Sequence, residues 1–329
     1  MSSFDQETGR DRYFAQRERE LDALIDPATG LVDERFAHRV ACPACGAGAH
    51  RTLFVKRGFP IVRCEACRLV FSNPQVDESL VVEEYRGGLS NDLWVDVLTS
   101  GRQLALDREK FGAILDDLEP HRGAGKLLDV GCSVGLFLEQ ARGRGWDGVG
   151  IEFSEKARSH ARDEFGLDVI ERPLAESGLE PESFDVVTLL SVLEHTTEPR
   201  RMLREIATVL KPGGALYIIV PNVESLACRV LHERAATFDG RNHLVYFSGA
   251  TLADALAREG YAAELTTTRV ASLEPVLEWL SYEEPYSGEA PAADPLVGWA
   301  RSAELWGTLE RLGLGYKLHC LARRLGQPR

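Results

Sequence analysis

The sequence predicts an α/β protein with a seven-stranded, mostly parallel sheet covered by helices on both faces. From about residue 121 onward, apolar strand-like runs alternate with amphipathic helix-like segments. The early runs are apolar throughout, as expected of parallel strands buried on both faces. Seven such runs follow in chain order: KLLDVGC, GVGIEF, DVI, FDVVTLLSV, GALYIIVPN, YAAELTTTRV and GYKLHCLARR.

Composition limits the classes of function. The 329 residues include 44% hydrophobic residues, enough for one large core or two smaller ones, and the net charge of −13 disfavours nucleic acid as a partner. The polar start, MSSFDQETGRDRYF, is no signal peptide, and no apolar run approaches the roughly 18 residues of a membrane helix. We therefore expect a cytoplasmic protein with a small-molecule partner and no membrane association, and leave its oligomeric state open.

Four of the seven cysteines form two C-x-x-C pairs with eighteen residues between them. In a cytoplasmic protein this spacing predicts a zinc ribbon more readily than disulfides. Four thiolates complete a tetrahedral site with no open position, so the zinc would be structural. The alternative, four buried free thiols, is disfavoured by the paired spacing. The predicted ligands are Cys42, Cys45, Cys64 and Cys67.

These patterns divide the chain into six segments. Residues 1–38 form an N-terminal helical segment, 39–75 the ribbon, and 76–120 a helical linker or lid. Residues 121–270 form the α/β core. Residues 271–312 break the alternation and are expected to be a helical insertion that serves as a substrate lid or forms a small core of its own. Residues 313–329 supply a closing edge strand and a tail.

Two motifs place a ligand at the sheet. LLDVGCSVG, residues 127–135, is a strand, a glycine turn and a helix start, the position where open α/β sheets bind ligands. Gly131 allows close backbone approach and Gly135 allows close helix packing. The turn matches neither G-x-G-x-x-G nor a phosphate loop. Glu152, about twenty residues further on, is placed to accept both hydroxyls of a ribose, or it is a solvated carboxylate at a strand end.

Together with FDVVTLLSVLEHTTEP and LKPGGALYIIVPN, these motifs resemble the class I S-adenosylmethionine-dependent methyltransferases, over roughly residues 122–270 plus the closing strand. The resemblance implies a Rossmann-like core that binds S-adenosylmethionine. One departure is Ser133, where the family usually has glycine; a small residue still permits close approach. The subgroup with an N-terminal zinc ribbon often carries H-L-x-Y-F-S, which occurs here as HLVYFS at 243–248.

The resemblance also implies which residues contact the cofactor. The methionine part would lie against Asp129, Gly131, Cys132, Ser133 and Gly135. Glu152 would hold the ribose, and Phe153 would pack on the adenine. The adenine ring would be bordered by Arg172, Pro173 and Leu174, and the sulfonium by Leu190, Ser191 and Val192. Tyr85 would close over the cofactor. Cys132 is interpreted as a packing residue and not as a nucleophile.

Two histidines are candidates for the catalytic base. An alcohol acceptor needs a group that takes its proton, and a histidine titrates in the required range. His195 and His243 lie in loops expected at the carboxyl edge of the sheet, where substrates enter. Each is alternatively a histidine that fixes its loop. Asp239, Arg241 and Asn242 are candidates for contacts with a polar substrate.

The predicted activity is O-methylation of a small polar acceptor, a sugar or a natural-product intermediate, with histidine as the base. C- or N-methylation of a sugar or small molecule is an alternative. An RNA-base methyltransferase is disfavoured by the acidic charge and by SVLE at Ser191–Glu194, where such enzymes typically have Asn/Asp-Pro-Pro-aromatic. A catalytically silent sensor is a further alternative, which the intact cofactor motifs disfavour.

Overall fold

The computed structural model describes residues 7–286 and 295–326. Residues 1–6, 287–294 and 327–329 belong to the predicted N-terminal segment, insertion and tail, and these parts of the predictions lie outside the described residues. None of the described helices has the length and apolar character needed to cross a membrane.

In the N-terminal part, the described residues from 7 onward include a helix and the strands of two small sheets. Helix α1 spans Arg10–Asp22. The strands that follow are β1 Ala37–His38, β2 His50–Lys56, β3 Phe59–Cys64, β4 Val70–Ser72 and β5 Gln75–Val76. Strands β2 and β3 form a hairpin, and β1 pairs with β5.

Three helices connect the ribbon to the core: α2 Glu78–Gly87, α3 Leu89–Thr99 and α4 Gly101–Leu118. Helix α1 returns to this group, where the rings of Tyr13 and Trp94 have centroids 4.9 Å apart. Helices α1, α2 and α3 together cover the carboxyl edge of the core sheet, and we call them the helical cap. The cap therefore joins two segments that are far apart in the sequence.

The core begins with β6 Lys126–Val130, α5 Leu136–Gly143, β7 Asp147–Ile151, α6 Glu155–Phe165 and β8 Val169–Ile170. It continues with β9 Phe184–Leu190, α7 Pro199–Val209, β10 Leu210–Pro221 and α8 Leu226–Leu231. Strand β11 Val245–Tyr246, α9 Gly249–Arg258 and β12 Tyr261–Arg269 follow. Then come α10 Glu274–Leu280, α11 Pro295–Ala300, α12 Ala303–Arg311 and β13 Lys317–Arg324.

The predicted seven-stranded, mostly parallel sheet is confirmed, with the order β12-β13-β10-β9-β6-β7-β8. The expectation that the closing strand lies at the edge is wrong, because β13 is inserted antiparallel between β10 and β12. The difference in burial explains why β12 and not β13 is the edge strand. Strand β13 is buried from Leu318 to Ala322, whereas β12 is exposed over residues 263–267. The more polar strand takes the edge, where one side faces water.

Helix α7 shows how the sequence selects the face that each helix buries. Leu203 and Ile206 lie on its buried side, while Arg200 and Arg204 project to the surface and pair with Glu259. Burying a leucine or isoleucine side chain contributes about 1.5–3 kcal/mol relative to exposure. This spacing of three residues between apolar positions fixes how α7 packs on the sheet.

Helices α10, α11 and α12 of the 271–312 segment build a small apolar cluster of their own. Leu273, Leu277, Val297, Ala300 and Leu309 form it. Tyr282, in contrast, is almost fully exposed. The segment is thus packed partly on itself, and only some of its side chains reach the cavity described next.

Candidate active site

A cavity of about 1580 Å³ lies between the carboxyl ends of β6, β7, β9 and β10 and the helical cap. This is where ligands bind in open α/β sheets. The cavity is lined by the glycine turn after β6, by Glu152, by both candidate histidines and by residues of α1 and α3. It is large enough to hold two ligands side by side, since ligand pockets generally measure about 300–1,000 Å³.

The glycine turn comes close to the end of β9. Gly131 has a φ of 76°, and a Cβ atom there would lie 2.6 Å from Cγ2 of Val192. Gly135 has a φ of 82° and is packed against Ala161, so it joins α5 to α6 and does not line the cavity. Ser133 adopts a φ of 51°, the left-handed conformation that glycine adopts at no steric cost. Strained backbone of this kind is concentrated at functional sites.

Glu152 is held in place by the turn it faces. One carboxylate oxygen accepts a hydrogen bond from the Ser133 N–H at 2.9 Å, and the other accepts from Phe153 and Ser154 at 2.7 and 2.8 Å. Burial raises the pKa of Glu152, while these backbone donors act in the opposite direction. A carboxylate has about four acceptor positions, so three backbone bonds leave capacity for a ligand hydroxyl.

The two side chains beside the turn have packing and orienting roles. Asp129 is buried and accepts a hydrogen bond from the Thr188 hydroxyl at 2.6 Å, and burial raises its pKa to about 7. Cys132 is buried, and its sulfur would lie 2.5 Å from a Cβ atom at Gly150. Burial raises the pKa of this thiol well above its ordinary value, which fits a packing residue.

The remaining predicted cofactor residues divide into those that line the cavity and one that does not. The lining includes Tyr85, Phe153, Pro173, Leu174, Leu190, Ser191 and Val192. Arg172 is exposed and lies outside the lining residues that the structure describes, so the structure does not support its predicted contact with the adenine. The chain turns outward after β8, and only Pro173 and Leu174 turn back to the cavity.

His195 and His243 lie together at the cavity, with ring centroids 4.9 Å apart. His195 Nδ1 donates to the Asn242 carbonyl at 2.8 Å, and His243 Nδ1 donates to the Thr237 carbonyl at 2.7 Å. Because a carbonyl can only accept, these bonds fix the tautomers and leave both Nε2 atoms as acceptors. Burial lowers the pKa of His195 to about 3 and that of His243 well below its ordinary value, so both rings are neutral at pH 7.

Glu194 adds a carboxyl group at the same place. One ligand-type atom from each of Glu194, His195 and His243 lies within 4.8 Å of the other two. The Glu194 side chain is 1% exposed, and neither of its carboxylate oxygens accepts a hydrogen bond within the described residues. Lys317 Nζ lies 3.9 Å from it and donates to Ser191 Oγ at 3.2 Å. Burial raises the pKa of Glu194 to about 7, against the opposing effect of Lys317.

The helical cap brings groups to the site that the sequence did not reveal. Tyr13 and Arg17 of α1 and Trp94 of α3 line the cavity, as does Lys317 of β13. Tyr85, the predicted closing residue, packs edge-on against His195 at 5.7 Å between centroids. Arg17 has a faint sequence signal, since α1 carries several arginines, but only the fold shows that Arg10 and Arg17 are the ones that line the cavity.

In the loop before His243, two of the three side chains expected to contact the substrate make contacts within the protein. One oxygen of Asp239 accepts from the backbone N–H groups of Arg241, Asn242 and His243. Asp239 also pairs with Arg17. Arg241 pairs with Glu20 of α1 and Glu84 of α2, each at 2.9 Å. Asp239 and Arg241 therefore fix the loop and the cap, and Asn242 alone of the predicted three keeps its side chain uncommitted by a described bond.

The four cysteines converge as a zinc site requires. Cys42 Sγ lies 3.5 Å from Cys67 Sγ, and Cys45 Sγ lies 3.6 Å from Cys64 Sγ. All four sulfur atoms lie within 4.8 Å of one another. A tetrahedral zinc ion with Zn–S bonds near 2.3 Å separates its sulfur ligands by about 3.8 Å. The donor set therefore fits zinc with small adjustments, and it leaves no open coordination position.

Comparison with known proteins shows which class of enzyme this domain belongs to. Residues 102–265 match the family described as a methyltransferase domain. This domain belongs to the class I S-adenosylmethionine-dependent methyltransferases. Within that class, the chain is one that places a four-cysteine ribbon ahead of the methyltransferase domain.

Curated relatives cover part of the chain. The ubiquinone biosynthesis O-methyltransferase of Azoarcus sp. (strain BH72) is 40% identical over 116 residues, which are 33% of this chain and 50% of that protein. The protein of the same name from Stutzerimonas stutzeri (strain A1501) is 37% identical over 103 residues, 30% of this chain and 44% of the relative. The chain thus spans about half the length of these curated relatives.

A solved structure supports the fold alone. The crystal structure of magnesium protoporphyrin IX methyltransferase from Synechocystis PCC 6803 with bound SAH is 15% identical and superposes with a TM-score of 0.50. The superposition covers 75% of this chain and 100% of that chain.

Proposed function

We propose that this chain transfers the methyl group of S-adenosylmethionine to a hydroxyl oxygen of a small polar acceptor, such as a sugar or a natural-product intermediate. One observation carries the proposal. Two neutral imidazoles, whose Nε2 atoms have no hydrogen-bond partner among the described residues, stand at the cavity that the cofactor motifs also line. This arrangement gives an acceptor hydroxyl a base at the place where the methyl group would arrive.

S-adenosylmethionine, when bound, supplies an already activated methyl group. The chain's own residues must then bind it, orient the acceptor and exclude water. Gly131 and Ser133 provide a bare backbone surface, and Glu152 offers its remaining acceptor position to a ribose hydroxyl. Trp94 and Tyr13 of the helical cap line the same cavity, where they would limit the access of water.

We assign proton removal to the histidine pair. A hydroxyl bound at Nε2 of His195 or His243 loses its proton to that nitrogen as the oxygen attacks. His195 alone would be a weak base, because burial lowers its pKa to about 3. Glu194 lies 3.9 Å from His195 Nε2, and its ionised form would stabilise the imidazolium that forms.

Two polar groups that line the cavity, Glu194 and Lys317, indicate which kind of acceptor would bind. Glu194 offers two carboxylate oxygens without hydrogen-bond donors among the described residues, and Lys317 offers an ammonium beside them. A buried polar group without a partner costs about 1–3 kcal/mol, so a ligand that donates hydrogen bonds gains by filling this position. Relatives named as O-methyltransferases agree with oxygen as the methylated atom.

We assign zinc to the cysteine cluster with a structural role. Cys42, Cys45, Cys64 and Cys67 would hold the ion, and four thiolates leave no position for substrate or water. Zinc would tie the turn after β3 to the loop before β2. No step of methyl transfer takes place at this site.

A panel of acceptors tests the proposed activity. Purified protein is incubated with S-adenosylmethionine and with catechol, phenol, glucose, a nucleoside and an aliphatic amine, and the products are analysed by mass. We expect a gain of one methyl on a hydroxylated acceptor. Methylation of only the amine or of a carbon atom would refute oxygen as the target.

Matched variants then test the base. His195→Gln or His243→Gln, whichever removes the base, should lower turnover by about 10²–10⁴-fold, the usual contribution of a general base, with S-adenosylhomocysteine affinity unchanged. His38→Gln serves as the control, because His38 is exposed in β1 and lies outside the cavity. Full turnover in both site variants would exclude a histidine base.

A further inference from the structure

The ribbon's sheet contains a strand that the methyltransferase part supplies. Strand β11 pairs antiparallel with β4, with Val245 opposite Phe71 and Tyr246 opposite Val70. The resulting four-stranded sheet has the order β11-β4-β3-β2. The HLVYFS motif is therefore the connection between the ribbon and the core, with His243 at its first position.

Leu244 is the residue where the two parts are joined by hydrogen bonds. Its carbonyl accepts from the Ser72 N–H at 3.0 Å, from Ser72 Oγ at 3.4 Å and from Gln75 Nε2 at 3.3 Å. Its own N–H donates to the Glu194 carbonyl at 2.8 Å. Ser72, Gln75, Glu194 and Leu244 are all buried, so water does not compete for these bonds.

Both candidate bases are covalent neighbours of this junction. His243 precedes Leu244, and His195 follows Glu194. The ring of His195 is tied in addition to the carbonyl of Asn242. The hydrogen bonds at Leu244 thus set how far apart the two histidine backbones are, and with them the separation of the two rings.

The cysteine site lies directly before the strand that makes this contact. Cys64 ends β3, its N–H donates to the Leu69 carbonyl at 2.9 Å, and β4 begins at Val70. An ion held by Cys64 and Cys67 would fix this turn and therefore the position of β4. A ribbon that only stabilised the fold would not need hydrogen bonds to Leu244, the residue that links the segments of His195 and His243.

We propose that the ribbon positions the acceptor half of the active site, and that Gln75, with Ser72, is the positioning residue through which it acts on His195 and His243. Cofactor binding is independent of this contact, because the glycine turn and Glu152 make no described hydrogen bond to the ribbon. The effect of this role on turnover rests on the methyl transfer proposed above. The effect on the positions of His195 and His243 does not.

Gln75→Met tests the role, since methionine has a similar volume and donates no hydrogen bond. The matched control is Gln140→Met on α5, where the amide nitrogen has no hydrogen-bond partner among the described residues and the side chain lies outside the cavity lining. The ring signals of the histidines are followed by NMR, and His195→Gln and His243→Gln identify the two relevant signals. S-adenosylhomocysteine affinity is measured by calorimetry on the same samples.

In Gln75→Met we expect the His195 and His243 signals to shift, with S-adenosylhomocysteine affinity within twofold of wild type. Turnover of the best acceptor should fall about tenfold, since small misplacements of reacting groups have large effects on rate. Ser72→Ala should show a smaller change of the same kind, because the backbone bond of Ser72 remains. Gln140→Met should change none of these.

Unmoved histidine signals in Gln75→Met would overturn the positioning role, and so would a parallel loss of S-adenosylhomocysteine affinity, which indicates general destabilisation. If wild-type protein binds S-adenosylhomocysteine and the signals shift, yet no acceptor is methylated, the proposed function fails and the ribbon's geometric role stands. The two failures are therefore distinguishable.

Discussion

Replacing Glu152 by alanine should weaken cofactor binding strongly. Three backbone bonds leave this carboxylate one acceptor position for a ribose hydroxyl. A hydrogen bond to a charged group contributes about 1.5–3 kcal/mol, so its loss corresponds to roughly a 10- to 100-fold increase in Kd. The same carboxylate accepts the N–H of Ser133, so its loss also loosens the glycine turn.

The assay is calorimetric titration of S-adenosylhomocysteine, at a temperature where circular dichroism shows that each variant is folded. Glu164→Ala is the control, because Glu164 is an exposed residue of α6. Glu152→Gln, which retains one acceptor oxygen for the backbone donors, should bind more tightly than Glu152→Ala and more weakly than wild type. A Kd for folded Glu152→Ala within threefold of wild type would refute the assignment of the ribose to this carboxylate.

Three further predictions concern the glycine turn, the buried acid and the cysteines. Gly131→Ala and Gly178→Ala both place alanine at positive φ, 76° and 72°, but only the former meets a neighbouring atom, at 2.6 Å from Val192. In urea unfolding, Gly178→Ala should cost about 1 kcal/mol and Gly131→Ala at least about 1 kcal/mol more, with loss of S-adenosylhomocysteine binding; equal costs would contradict the clash. Because the folded state raises the pKa of Glu194 from about 4.5 to about 7, it holds this proton more tightly than the unfolded chain, and stability is lost as pH rises through that interval. Glu194→Gln should therefore gain up to about 3 kcal/mol relative to wild type between pH 4.5 and pH 8, and a constant difference would show that Glu194 does not titrate in this way. Cys64→Ser should lower both the zinc content measured by mass spectrometry and the melting temperature, whereas Cys228→Ser should leave zinc content unchanged; retained zinc in Cys64→Ser would remove Cys64 from the ligand set.

The sheet, and the edge of it where the glycine turn and Glu152 lie, could be predicted from the sequence because both depend on local patterns. The apolar runs that form β6 and β9 are typical of buried strands, and Gly131 and Glu152 directly follow β6 and β7. Parallel strands bring their carboxyl ends to one edge, so the turn and the carboxylate had to meet. The histidine pair followed from the same rule.

What the sequence did not reveal depends on contacts between distant segments. Arg17 and Asp239 are more than two hundred residues apart, and nothing near either residue predicts their ion pair. Lys317 begins a strand, where a lysine usually faces water. Only insertion of β13 beside β10 brings it to Ser191. The greater polarity of β12 was a signal for the edge position, but strand order itself is a long-range property.

A crystal structure of the chain with S-adenosylhomocysteine would test the account most directly. We expect a ribose hydroxyl within about 3 Å of the carboxylate of Glu152, and the sulfur on the side of the cavity that His195 and His243 share. Density for the ligand anywhere other than this rim, or a ribose turned away from Glu152, would contradict the account.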